Sequence, residues 1–426
     1  MMYGGKISLS SGLARVVIFE QFVVQSLDRK GGMNVYQEKA RQACDLLDEF
    51  DLDVWLIFVR ETAEHTDPVL KLLGHQRAVW PAAFLFGRGG ERIAITGQGD
   101  DAPVRDLGLF DEVIPYTQSI QEDLVQVLSR LDPKSIGLNY SRADVSADGL
   151  TYGMFLNLQE YLKDTPYAGR LVSADGFVGA LRGRKTPQEL DRMRQAIGLS
   201  MEIFEATTAW LRPGLSERQI YDFVQDQVRQ RKLEFAWPAS GCPSLNAGPN
   251  SPWGHAGASD EKTSPGQTLN MDFGVKVDGF SSDNQRVWYF LREGETEAPP
   301  GVTKVFDAVA GAIQAAADFV RPGVQGWEVD AVARKYIVEA GYAEYPHALG
   351  HSVGRHSHDG GIGFYPRWER YGDKPYGRIV EGGVFTLELG VRSEFGYIGI
   401  EEEILITADG YEWLAPPQKS LILIPA

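Results

Sequence analysis

The sequence predicts a mixed α/β protein of two domains, and three observations carry that prediction. The chain has 426 residues, enough for two hydrophobic cores of ordinary size. Its first portion alternates short apolar runs with amphipathic ones. Its second portion repeats one helix-then-strand pattern twice, each time with an acidic residue in mid-strand.

The first portion runs from Tyr36 to about Asp175. VWLIF (54–58), AAFLF (82–86), RIAIT (92–96), EVIPY (112–116) and SIGLNY (135–140) read as strands. Residues 120–131 and 37–47 place apolar side chains at helical spacing. His65, His75 and Trp80 fall on loops of this α/β domain, which shows no catalytic cluster of its own. Ahead of it, Ala14–Val24 comes nearest to a signal peptide, but Glu20 interrupts it and no small-residue cleavage site follows. Residues 1–32 are expected to be a poorly ordered leader before a start at Met33.

A boundary is expected near Arg182–Lys185, giving domains at 33–181 and 182–426. Thr186-Pro187-Gln188-Glu189 is a strong helix start, with Thr as N-cap, Pro at the first position and Glu at the third. Ser216-Glu217-Arg218-Gln219 is a second capping box. Leu211-Arg212-Pro213-Gly214 then finds an echo in Val320-Arg321-Pro322-Gly323. Each is followed by a helix, a Gly/His-rich stretch and a strand: PGQTLNMDFG (265–274) and EGGVFTLELG (381–390). This reads as a duplication, two similar halves about a pseudo-twofold axis, with Asp272 and Glu388 in equivalent places.

The chemistry concentrates in those strands. Asp278-Gly279 between two strand-like runs signals a two-residue hairpin turn. With that turn Asp272 lies opposite Gln285, and Asp272 and Asp283 become same-face neighbours with Cα atoms ~7–8 Å apart. Buried carboxylates so close repel unless a cation or shared proton intervenes, so metal binding is expected. The second acidic strand, 385–390, faces 399–407; spacing does not decide which of Glu401, Glu402 and Glu403 turns inward, one being expected inward and two outward. Between the acidic strands four of the chain's seven histidines, His347, His351, His356 and His358, crowd one Gly-punctuated segment. His255 stands in the matching stretch of the first half. Ligation rich in carboxylate and poor in imidazole suits Mn, Co or Fe and tolerates Zn. Two ions at ~3.5–4 Å would share bridging carboxylates.

As a set, these residues resemble the methionine aminopeptidase, prolidase and creatinase family, whose catalytic domain has the pita-bread fold. The resemblance covers roughly residues 182–415, and the upstream α/β domain is similar to that of the prolidase and aminopeptidase P branch. The family's five-ligand pattern maps onto Asp272, Asp283, His351, Glu388 and Glu401. The step of eleven between the aspartates is met, and so is the step of seven from His351 to His358. The resemblance chooses Glu401 among the three glutamates. It implies two divalent ions, manganese first and Co, Zn or Fe as alternatives. It assigns Asp272 to one ion, His351 and Glu388 to the other, and Asp283 and Glu401 as bridges. Glu388 doubles as acid/base, and His255, His347 and His358 serve the substrate. The chain departs from the pattern at Leu389 in Glu-Leu-Gly, at Gly399 where Arg is common, and at Asn284-Gln285 after Asp283.

The implied activity is release of the amino-terminal residue from short peptides, next to proline, by a homodimer. The rivals are a metal-dependent hydrolase of a small non-peptide amide and a non-catalytic binding protein. Composition sets outer limits. With 42 Lys plus Arg against 58 Asp plus Glu, the net charge is −16, and such a surface repels nucleic acid and anionic membranes. Two distant cysteines, Cys44 and Cys242, favour a reducing, cytoplasmic compartment.

Overall fold

The computed structural model describes residues 33–74, 76–252 and 257–426; the expected leader at 1–32 and His75 lie outside them. A six-stranded mixed sheet forms first, in the order Glu112–Tyr116, Arg92–Gly97, Ala82–Gly87, Val54–Val59, Ile136–Leu138, Leu171–Ser173. Its central strand Val54–Val59 is buried throughout. Trp55 and Ile57 join Phe84, Phe86 and Phe177 on one face, and Leu56 and Phe58 join Leu85, Ile95 and Leu128 on the other. The five expected strands are all present. The last ends early, at Leu138, because Asn139 turns its side chain inward, accepting from Trp55 Nε1 at 2.7 Å and donating to Asp67 at 2.8 Å.

The expected helices appear as Val35–Leu46 and Gln121–Leu131. Tyr152–Leu162 has no clear signal in the sequence, because Tyr152 and Leu156 put apolar side chains on its exposed face and blur the periodicity. Helix Asp175–Gly183 runs through the expected boundary and seats Phe177, Val178 and Leu181 in the first core.

The second sheet has the order Val384–Ser393, Gly396–Ile406, Asn284–Phe290, Thr268–Phe273, Ser244–Ala247, with Tyr411–Trp413 and Ile422–Ile424 paired to its sides. Two helix pairs cover one face. Pro187–Trp210 and Glu217–Gln230, each opened by its expected capping box, lie over Leu269, Met271, Phe273 and Trp288. Pro300–Phe319 and Gly326–Glu339 lie over Leu387, Leu389, Ile400 and Ile404. Each Arg-Pro-Gly segment joins the two helices of its own pair, so the sequence echo is an echo of structure. The halves meet in mid-sheet, where Gln285 pairs with Glu401. Among the described residues no helix is long and apolar enough to cross a membrane.

Candidate metal centre

Because helices bury one face of the second sheet, strand alternation sends every second residue to the other. The hairpin at Asp278-Gly279 sets the register: both residues have positive φ, 47° and 80°, as a two-residue turn of this hand requires. Val277 pairs with Phe280 and Asp272 with Gln285, as the turn predicts. Directly paired residues of an antiparallel sheet share a face. The pairs Asp272–Gln285, Gln285–Glu401 and Glu401–Glu388 therefore draw one row across four strands.

A second row lies two residues along. Glu403 pairs with Thr386, and Asp283 donates its backbone N–H to Glu403 Oε1 at 2.7 Å. The histidine segment runs beside Val384–Ser393 as an edge, with Thr386 N–H donating to His351 O at 3.0 Å and His351 N–H to Thr386 Oγ1 at 3.1 Å. His351 thus arrives from outside the strands, at the same level as Asp283.

The three glutamates correct one expectation. Rather than one inward and two outward, Glu401 and Glu403 both face the site, and Glu402 on the opposite face is 1% exposed. That side is covered by helices, so "outward" does not mean solvent. Arg286 meets Glu402 there with two contacts of 3.0 and 3.1 Å, and its guanidinium lies over the Phe204 ring.

The electrostatics of the site face are dominated by burial. Desolvation pushes the Asp272 carboxyl up to about 7. Desolvation, with Asp272 adding repulsion, raises Glu388 to about 8. Asp283 and Glu401 are raised by the same two causes, and Glu403 is pushed to about 8 by burial. Burial and the neighbouring His358 lower His351 to about 3, so its imidazole is neutral. Its Nδ1 faces the Ser352 carbonyl at 3.4 Å, and a carbonyl only accepts, so the lone pair is on Nε2. That lone pair looks at Glu388 Oε1 at 3.5 Å, Glu401 Oε1 at 3.8 Å and Asp283 Oδ2 at 3.9 Å. Acceptors thus face acceptors, and Asp272 Oδ1 is buried without a hydrogen-bond partner. A cation would turn that repulsion into coordination, and ligand atoms of Asp283, His351 and Glu401 lie within 4.8 Å of one another. The donor set fits a divalent metal.

The other candidates sort by position. The His358 ring is 4.2 Å from that of His351 and nearly perpendicular to it. His347 has its Nδ1 donating to the Ala348 carbonyl at 2.7 Å and its ring 5.2 Å from Tyr345. His255 lies outside the described residues.

Among the described residues three more join the face beyond the expected site residues: Gln285 and Glu403, which the sequence placed in the acidic strands without assigning them a role, and Thr386, which it did not single out. Gln285 Nε2 donates to Glu401 at 3.1 Å and Glu388 at 3.4 Å; its place was available from the hairpin register, which sets it opposite Asp272. Two of the departures from the family pattern are one spatial unit. A Cβ at Gly399 would meet Tyr397 at 2.5 Å and Gln285 Oε1 at 2.9 Å, and one at Gly390 would meet the Tyr397 ring at 2.3 Å. The Tyr397 ring therefore lies over two glycines, beside the acidic row.

Buried carboxylates and an imidazole lone pair converging where two related half-sheets meet define a metal-dependent enzyme. The sequence profile of metallopeptidase family M24 matches residues 191–408, just over half of the chain, and the chain belongs to that family. A Xaa-Pro dipeptidase from Lactobacillus delbrueckii subsp. lactis is 28% identical over 289 residues, 67% of this chain and 74% of that one. The structure is similar to that of a Xaa-Pro dipeptidase from Bacillus anthracis, with a TM-score of 0.67 at 22% identity, covering 91% of this chain and 100% of that one. It also resembles an X-Pro aminopeptidase from Thermotoga maritima MSB8, with a TM-score of 0.64 at 23% identity over 90% and 99% of the two chains. These likenesses establish the two-domain pita-bread architecture expected from the sequence.

Proposed function

We propose that the protein is a dinuclear metallopeptidase that releases the amino-terminal residue of short Xaa-Pro peptides, as a dipeptidase or an aminopeptidase P-type enzyme. The observation that carries the metal assignment is His351 Nε2 standing 3.5–3.9 Å from carboxylate oxygens of Glu388, Glu401 and Asp283. The Xaa-Pro preference rests on the names of the relatives. Asp272 would hold one ion, His351 and Glu388 the other, and Asp283 and Glu401 would bridge them. When bound, the ions, manganese foremost and cobalt, zinc or iron as alternatives, would polarise the scissile carbonyl and acidify a water.

The chain's own residues supply the rest. Glu388 keeps 22% of its side chain exposed against 2% for Glu401 and 7% for Asp283. As the most open of the three carboxylates around His351, it would take a proton and pass it to the leaving imino nitrogen. His358 would donate to the carbonyl oxygen as charge develops, and His347 and His255 would orient the substrate. We assign the enzyme to the cytoplasm as a homodimer.

The test is hydrolysis of matched Xaa-Pro dipeptide, Xaa-Pro tripeptide and Xaa-Ala peptide by protein stripped of metal and reloaded with manganese. Cleavage of the proline dipeptide alone makes it a prolidase, and cleavage of the tripeptide an aminopeptidase P. Silence on all three with metal bound overturns the proposal and favours a small non-peptide amide. The Tyr397, Gln285 and Gly399 cluster beside the acidic row is where such a change of substrate would be read.

A further inference from the structure

His358 differs from the metal-face residues in how it is held. Asp272, Asp283, Glu388 and Glu401 stand in or beside strands of the second sheet, and His351 lies on the edge segment bonded to it. His358 belongs to a loop, 354–361, that leaves the sheet. Within the loop Gly354 N–H donates to His356 O at 3.0 Å, and Asp359 N–H ties the loop to Ser352 O on the edge segment at 2.9 Å. On the second-sheet side Ser281 N–H donates to Gly354 O at 2.7 Å and Arg355 lies over the Phe280 ring. The anchors that flank His358 on its C-terminal side, at Asp359 and Gly361, reach instead the first-sheet side of the molecule.

The strongest of these is Arg182, at the end of helix Asp175–Gly183. It is 2% exposed, and Asp359, next to His358, is 1% exposed. Arg182 Nη2 meets Asp359 Oδ1 at 2.5 Å, and its Nε donates to the Asp359 carbonyl at 3.1 Å. One guanidinium therefore holds both the side chain and the backbone of the residue adjoining His358. On the other side, Gly354 leaves room for that carboxylate, since a Cβ there would meet Asp359 Oδ2 at 2.2 Å.

Asp144 holds the far end, its Oδ2 accepting from Gly361 N–H at 2.6 Å. Gly360 and Gly361 both have positive φ, 74° and 68°, and are pressed against Ser146 and Gly179. Lys71 reaches His356 at 3.5 Å. Helix Asp175–Gly183 is itself fixed by Phe177, Val178 and Leu181 in the first core.

We propose that Arg182 and Asp144 are positioning residues that hold the His358 loop over the metal face, so that the first domain completes the site mechanically as well as covering it. The catalytic half of this proposal rests on the peptidase reading. Arg182 acts as a two-pronged clamp, which Lys reproduces in charge but not in geometry. Removing it takes from buried Asp359 the cation that bonds it directly and leaves only Lys185 and His356 nearby, so the loop shifts to rehydrate the carboxylate.

Arg182→Met, Arg182→Lys and Asp144→Ala test this in the full-length, metal-loaded protein. Asp144→Ala acts at the opposite end of the loop and keeps the test alive if Arg182→Met fails to fold. Both Arg182→Met and Asp144→Ala should lower kcat, by on the order of 10–100-fold for Arg182→Met, the cost typical of losing a residue that orients a functional one. Arg182→Lys should recover part of that loss, with KM and metal content unchanged throughout. Hydrogen exchange of the 354–361 amides should accelerate in Arg182→Met and Asp144→Ala while that of strands 384–393 and 396–406 does not. Unaltered exchange at 354–361 overturns the restraint, and faster exchange with unaltered kcat overturns its role in positioning. Loss of metal in step with activity would assign the residues to stability instead. A wild type that cleaves no peptide overturns the peptidase reading and with it the catalytic half, and the exchange measurement then decides the restraint alone.

Discussion

The two sheets bury their central strands almost equally and use that burial in opposite ways. Val54–Val59 is buried at every position and is apolar on both faces. Gly396–Ile406 is buried nearly as fully, yet it sends Ile400 and Ile404 to the helix side and Glu401 and Glu403 to the other. Dry apolar packing stabilises in proportion to the area removed from water, whereas a buried carboxylate costs several kcal/mol unless a partner offsets it. The first sheet is thus a source of stability. The second carries a local deficit that a cation can reverse.

The sharpest way to break that comparison is Asp283→Asn, which removes one charge and keeps the shape. It should lose bound metal, measured by elemental analysis, and drop kcat on the order of 10³-fold, at the upper end of what one preorganised electrostatic group supplies. Retained turnover would show that the acidic face is structural. The mirror experiment is Phe84→Ala in the first sheet, where Phe84 is fully buried. Denaturant unfolding should show a loss of about 3–5 kcal/mol, with kcat per folded molecule unchanged. A fall in kcat would mean the sheets do not divide the labour in this way.

Gln285→Ala asks how much a neutral residue in the acidic row contributes. It removes the donor to Glu401 and Glu388, and metal affinity by calorimetry should weaken about 10–100-fold. No change would make Gln285 a spacer. The smallest expected effect concerns pH. The Asp272 and Glu388 carboxyls are pushed by burial to about 7 and about 8 in the metal-free fold, above their values in an unfolded chain. Their contribution to stability is therefore fully present below about pH 4 and lost as pH rises towards 8. The gap in Tm between metal-loaded and stripped protein should widen over that window by a few degrees, and scanning calorimetry at pH 5 and 8 reads it. A gap that narrows with rising pH would place the carboxylates in a solvated environment.

Much of the fold was legible because it depends on neighbours in sequence. The capping boxes at Thr186 and Ser216, the five strands of the first sheet and the Asp278-Gly279 turn all follow from a few adjacent side chains. The turn fixes register by counting, so the shared face of Asp272 and Asp283 follows too. Tyr152–Leu162 escaped because exposed apolar residues hide the helical period. Which of Glu401, Glu402 and Glu403 faces the site could not be counted, since the hairpin joining 384–393 to 396–406 carries no Asp-Gly signal and all three lie in a strand covered on both sides.

By itself, then, the sequence determined residue types, local elements and the spacing of the acidic and histidine residues, because caps, turns and alternation act over a few bonds. Only the tertiary structure decided the pairing of Gln285 with Glu401, which joins the two halves into one row. It also decided the burial that raises the carboxylates and the reach of Arg182 to Asp359. Those contacts lie more than a hundred residues apart along the chain, and packing alone chooses among the partners at such separations.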